Sequence, residues 1–110
     1  MDLGIEVSQR GQDVVLAVTG DIDINTAPQV RDRLADLQAA GQTSIVVDLA
    51  EVTFLDSSAL GALVAAHQAL AAAGGSLRLA APRAHVQKVF RITRLADVIP
   101  LFDSVESACA

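Results

Sequence analysis

Asp56-Ser57-Ser58 stands directly ahead of an apolar pattern of helical spacing, Leu60, Leu63, Val64, His67 and Leu70, so a carboxylate and hydroxyls gather at a helix N-terminus. Either Asp56 or Ser57 can satisfy the orphan amides of that first turn. The two roles are compatible, because with Asp56 as the cap Ser57 is left exposed at a strand-to-helix turn. A phosphate on its oxygen would then sit on the positive end of the helix dipole. Asp21 and Asp23 follow a strand expected to lie beside the one that leads to Ser57. Carboxylates there can orient the serine hydroxyl, hydrogen-bond a partner, or belong to a solvated turn.

Other chemistries fit these residues less well. A serine hydrolase needs a histidine base and an elbow of the Gly-x-Ser-x-Gly kind, and Ser57 has neither nearby in sequence. A receiver domain could use Asp48 as its phosphoacceptor, but the first strand is followed by Ser8-Gln9-Arg10 rather than an acidic cluster, and Lys88 falls inside an expected helix. No glycine-rich loop is placed to grip a nucleotide phosphate. His67 and His85 have no carboxylate or cysteine at metal spacing, so structural or surface roles are expected, with no metal and no cofactor.

The elements that must position Ser57 can be read in chain order. Leu3, Ile5 and Val7 alternate with polar residues, and Gly11-Gln12-Asp13 then offers a turn before Val14 to Thr19, giving an antiparallel hairpin. Thr19 to Asp23 is read as the break after the second strand. Asn25-Thr26-Ala27-Pro28 supplies a cap and a first-turn proline for a helix from about Thr26 to Ala40, with Val30, Leu34 and Leu37 inward. Ile45 to Leu49 is apolar on nearly every residue and is expected to be a strand covered on both faces. Gly74-Gly75 ends the Ser57 helix, and Leu77 to Ala80 makes a fourth strand parallel to the third, a βαβ unit. Pro82 opens a third helix carrying Val86, Val89, Phe90 and Ile92. Ile99 to Phe102 then leads into an acidic tail from Asp103 to Ala110.

These elements make an α/β fold, one domain over residues 1–110 without a linker. A mixed central sheet of four to five strands is expected, with helices packed mainly on one face. The outer face of the Ser57 helix is expected to be Ala62, Ala65, Ala66 and Ala69, an uncharged docking face bordered by Thr53 and Phe54. Arg83, Arg91 and Arg94 give the third helix a basic, solvated side.

Composition narrows the partners. The 110 residues carry a net charge of −5, Lys88 is the only lysine, and there is no Tyr or Trp. Direct nucleic-acid binding therefore lacks both a basic footprint and stacking platforms. The alanine-rich run from Ala59 to Gly75 is poor material for a bilayer span, so no membrane insertion is expected. Cys109 has no second cysteine to pair with, which excludes an internal disulfide framework and favours an intracellular chain. Met1-Asp2-Leu3-Gly4-Ile5-Glu6 lacks a positive region followed by an apolar one, so no secretory signal is expected and a cytoplasmic location follows.

Asp56-Ser57-Ser58-Ala59-Leu60-Gly61, preceded by Val47-Asp48-Leu49 and Val52-Thr53-Phe54-Leu55, resembles the signature of STAS domains, specifically the anti-sigma factor antagonists of bacterial stress and sporulation pathways. Leu3-Gly4-Ile5, Thr19 to Asp23 and Pro82 to Leu95 extend the similarity along essentially the whole chain. The resemblance implies a STAS-like domain without catalytic residues. It also implies phosphorylation of Ser57 by a partner anti-sigma factor with serine kinase activity, and resetting by a phosphoserine phosphatase. The unphosphorylated form would bind the anti-sigma factor and release a sigma factor. Together with the residue readings, the expected partner surface is Asp21, Asp23, Thr53, Phe54, Asp56, Ser57, Ser58, Ala59, Ala62, Ala65 and Ala66. Ala59 stands where the usual motif has glycine, and this is expected to alter the fit of a partner backbone against the turn. The alternative is a non-phosphorylated STAS subunit of a membrane transport complex, docking on an ATPase; the Asp56-Ser57 dipeptide speaks against it.

Overall fold

Alternate residues along the two central strands bury their side chains on opposite faces, as a strand period of two requires. The computed structural model describes residues 3–109. Met1 and Asp2 of the segment read for a signal, and Ala110 of the expected tail, lie outside those residues. Strands β1 (Gly4–Arg10), β2 (Asp13–Ile22), β3 (Ser44–Leu55), β4 (Ser76–Ala80) and β5 (Leu101–Phe102) lie in that order in one sheet. β1 is antiparallel to β2, and every other neighbouring pair is parallel. The sheet is mixed, as expected, and has the larger of the two strand numbers.

Three helices cover the first face: α1 (Ala27–Ala39), α2 (Ser57–Ala72) and α3 (Ala84–Ile92). Leu16 and Val18 of β2, Ile45, Val47 and Leu49 of β3, and Leu77 and Leu79 of β4 join Val30, Leu34, Leu63, Leu70, Val86 and Phe90 in one apolar cluster. On the second face Val15, Val46 and Ala80 meet Ala108 of a short helix, α4 (Val105–Cys109), with Phe102, Val105 and Cys109 packed around them. Within the segment expected to be an acidic tail from Asp103, the structure therefore places α4, and the Ile99 to Phe102 stretch ahead of it supplies β5. The two-sided apolar pattern of β3 already demanded a cover for that face; α4 supplies it.

A polar clasp holds α4 down. The Arg78 guanidinium donates to the Asp13 carboxylate at 2.6 Å, to the Ser44 hydroxyl and to the Ala108 carbonyl, joining β2, β3, β4 and α4. The Ser44 hydroxyl also donates to Asp13. That hydroxyl, then the guanidinium, hold the Asp13 carboxyl below its ordinary range against the opposing effect of burial. A lowered folded value means that the stabilisation is complete above the ordinary carboxylate range and is lost as pH falls through the folded value. Asp13→Asn should therefore shrink the difference in urea midpoint between about pH 7 and about pH 3. An unchanged difference would show that Asp13 contributes nothing to acid stability.

Several boundaries differ from the expected ones. β2 does not break at Thr19 but continues to Ile22 through register shifts between Ala17 and Thr19 and between Gly20 and Asp21. β3 does not stop at Leu49; it runs on to Leu55 with Val52 and Leu55 buried, because the extended β2 supplies its backbone partner. Thr26 lies one residue before α1 and is buried, its hydroxyl donating to the Asp21 carbonyl at 2.8 Å and accepting from the Asp23 amide at 2.9 Å. Ile92 closes α3 facing solvent, 71% exposed, so it is not part of that helix's inward stripe.

Candidate functional site

The C-terminal end of β3 projects beyond β4, which pairs only with Ser44 to Asp48. Its backbone is held on one side by β2 and ends where the Asp56 amide donates to the Ile22 carbonyl at 3.1 Å. Asp56 then caps α2: its Oδ1 accepts from the amides of Ser58 at 2.8 Å and Ala59 at 3.3 Å. Ser57 is left as the first residue of α2, exposed to solvent. Among the described residues its hydroxyl has no hydrogen-bond partner. Of the two capping arrangements open in the sequence, the molecule uses the one that frees Ser57.

The acidic neighbours do not touch that hydroxyl. The Asp23 carboxylate accepts from the amides of Asn25 at 2.9 Å and Thr26 at 3.1 Å and from the Thr26 hydroxyl, so it builds its own loop. Desolvation raises its pKa, but these donors outweigh that and hold it below the ordinary value. Asp21 accepts from the Thr53 hydroxyl, and the Thr53 carbonyl lies 2.6 Å from His85 Nε2. Facing a carbonyl, that ring nitrogen must be the donor. Arg83 Nε donates to the Ala50 carbonyl at 3.0 Å. His85 and Arg83 thus occupy the β3 edge that β4 leaves open. Arg83 is expected to be solvated and His85 to be structural or at the surface; both are exposed, and no spacing in the chain announces their contact with β3, across 32 residues for His85.

Phe54, 50% exposed, and Thr53 stand on the surface ahead of Ser57, as expected. The α2 face divides differently from the expected stripe. Ala59 is fully buried and Ala62 is 7% exposed, both packed into the main apolar cluster; Ala59 offers nothing to a partner, and Ala62 shows only its edge, to the groove beside Ile24 and Pro28. Ala66 is half-buried against the same cluster, while Ala65 and Ala69 are exposed. The reason is that small residues on this side of α2 let α1 approach: Gln38 of α1 donates to the Ala69 carbonyl at 3.2 Å. Ala59 accordingly bears on the core beneath the turn, not on the fit of a partner backbone above it.

Ser58 is half-buried and lines an open groove of about 410 Å³ with Ile24, Pro28, Arg31 and Gly61 between the starts of α1 and α2. Ile24 is 71% exposed and was missed. A large aliphatic residue in an otherwise polar loop, between Asp23 and Asn25, was the available signal. Among the described residues no base lies on the Ser57 hydroxyl to activate it. The arrangement suits a serine offered to another protein's chemistry, with an apolar surface beside it for docking. No helix among the described residues is long and apolar enough to cross a membrane.

Comparison with known proteins agrees with this architecture. The anti-sigma-B factor antagonist of Bacillus subtilis is 31% identical over 92% of this chain and 92% of its own length. That of Listeria monocytogenes is 33% identical over 92% of this chain and 90% of its own. The crystal structure of an anti-sigma factor antagonist from Mycobacterium paratuberculosis superposes with a TM-score of 0.89 at 26% identity, covering 98% of this chain and 92% of that one. The STAS domain model matches residues 4–108, the whole sheet and its helices, and the chain belongs to the STAS domain family.

Proposed function

We propose that this chain is an anti-sigma factor antagonist switched by phosphorylation of Ser57. The observation that carries the proposal is the division of labour at the start of α2, where Asp56 caps the helix and leaves the Ser57 hydroxyl exposed and unbonded. Relatives at 31% and 33% identity that are anti-sigma-B factor antagonists support the same reading. The chain acts by binding, not as an enzyme: it engages an anti-sigma factor when unphosphorylated, and that partner's serine kinase activity transfers the γ-phosphate of ATP to Ser57. A phosphoserine phosphatase restores the free hydroxyl, and the cycle runs in the cytoplasm. The partner surface comprises Asp21, Thr53, Phe54, Asp56, Ser57, Ser58 and Ala65, without the buried alanines at 59 and 62.

Incubation of the purified protein with its cognate kinase and MgATP should add one phosphate, on Ser57, and none to Ser57→Ala. Recovery of the phosphate on Ser58, or none from a kinase shown to bind the protein, would overturn the assignment. A half-exposed Phe54 contributes to binding more than to folding. Phe54→Ala should weaken capture of the anti-sigma factor by about tenfold or more while leaving the melting temperature within a few degrees of wild type. Loss of both together would make Phe54 a folding residue instead.

A further inference from the structure

The sheet has two edges, and they are unequal. β5 is two residues long and is followed by α4, which packs on the sheet beside it. β1 is seven residues long, pairs only with β2 among the described residues, and keeps a continuous register with it from Gly4–Thr19 to Arg10–Asp13. Natural edge strands are usually blunted by charged side chains, above all lysine, by proline, by a bulge or by extreme shortness. Gly4-Ile5-Glu6-Val7-Ser8-Gln9-Arg10 has no proline, lysine or bulge, and its two charges, Glu6 and Arg10, are of opposite sign and cancel.

Arg10 and Asp13 close the hairpin across Gly11 and Gln12, the glycine at φ +64°. In a two-residue hairpin the closing pair exchanges backbone hydrogen bonds. Alternation then commits the backbone groups of Glu6 and Ser8 to β2 as well. The N–H and C=O groups of Ile5, Val7 and Gln9 point outward, toward an edge that no other described strand occupies.

We propose that this edge is the dimerisation surface of the protein: β1 pairs antiparallel with β1 of a second copy about a two-fold axis through Ser8. In that register Val7 lies opposite Gln9 of the second copy, and each such pair exchanges backbone hydrogen bonds through the outward groups. Glu6 lies opposite Arg10, twice by symmetry, in the closer non-hydrogen-bonded positions where opposite charges attract most. Glu6, Ser8 and Arg10 share a face, since they are the cross-strand partners of Ala17, Val15 and Asp13. With the axis through Val7 instead, Glu6 would face Ser8 and Arg10 would face Gly4, and the charges would not match. The charge pattern selects the Ser8 register. Because the far edge is too short to pair, assembly closes at two copies and does not propagate. The Ser57 junction lies on other elements and takes no part in this contact.

Sedimentation equilibrium of the purified full chain, over a concentration series at low salt, tests this directly. The wild type should pass from one to two chains in mass. Glu6→Arg or Arg10→Glu alone sets like charges opposite one another at both symmetry-related places and should weaken self-association by about tenfold or more. The double reversal, Glu6→Arg with Arg10→Glu, should restore it. Val7→Pro removes an outward N–H without touching the β2 ladder and should abolish it, with far-UV circular dichroism and melting showing that each variant is folded. A wild type that stays at one chain throughout, single reversals that dimerise as well as wild type, or a double reversal that does not recover while folded would each overturn the proposal.

Discussion

Phosphorylated on Ser57, the protein is expected to bind its anti-sigma factor at least about tenfold more weakly than the unmodified form, without any refolding. The phosphate adds about 1.5 to 2 negative charges at neutral pH. It arrives on an exposed oxygen that has no partner among the described residues to be displaced, beside a junction that already carries Asp21 and Asp56. A partner acidic group brought within about 6 Å, at an effective dielectric of about 20 to 80, then meets roughly 1 to 5 kcal/mol of repulsion. The same charge sits on the N-terminal end of α2, where a helix favours an anion by up to about 1 kcal/mol at an exposed position. Binding should therefore fall while the melting temperature stays level or rises. Calorimetric titration of the two forms against the anti-sigma factor, with melting curves alongside, separates a charge switch from a folding switch. Equal affinities would reject the switch, and a fall in both quantities would assign the effect to loss of structure. Ser57→Asp should reproduce only part of the loss, since it carries one charge where phosphate carries nearly two.

The largest loss of stability is expected from Gly75→Ala. A methyl group at that position would lie 2.1 Å from the Thr43 carbonyl oxygen and 2.8 Å from its carbonyl carbon. Neither atom can rotate away, because both are backbone, and the neighbouring Ser76 amide donates to that same oxygen at 2.8 Å. The turn between α2 and β4 is pressed on the loop that leads into β3. Admitting the methyl means moving one strand start against the other, with a cost at the upper end of the 1 to 3 kcal/mol typical of overpacking, about 3 kcal/mol or more. The neighbouring glycine makes a control. Gly74 lies at φ +79° with open space around it, so Gly74→Ala pays only for a left-handed backbone, about 1 to 2 kcal/mol. Gly61, inside α2 with nothing within 4 Å, should gain about 0.5 to 1 kcal/mol as alanine. Urea unfolding of the three variants should rank them in that order. Equal losses at Gly74 and Gly75 would mean that the close approach to Thr43 is relieved at little cost.

Periodicity carried far along this chain. The apolar run at Ile45 to Leu49, the alternation of β1 and the stripe of Val30, Leu34 and Leu37 in α1 all took the structure they announced, because each pattern has one period and one burial environment. The capped start of α2 was legible for the same local reason: Asp56 reaches amides only two and three residues ahead. The family likeness added what periodicity lacks, the role proposed for Ser57. Legibility failed where a partner distant in sequence decided the outcome. The expected third strand ended at Leu49, yet β2 draws the chain on to Leu55 into the same strand.

The sequence by itself determined the mixed α/β sheet, the helix that begins at Ser57 and the gathering of a carboxylate and hydroxyls at its start, since all of these follow from spacing and from caps within a few residues; which of those side chains caps and which is left free was decided in the folded molecule. Tertiary structure alone decided which alanines of α2 face water, because the approach of α1 buries Ala62 and leaves Ala65 out. It also decided that Asp23 serves its own loop, that His85 and Arg83 occupy the end of β3, and that α4 is clasped by Arg78. The physical reason is one of range: caps and periodicities act over a single turn or strand. Burial and side-chain pairing depend on elements tens of residues away, whose approach no local pattern encodes.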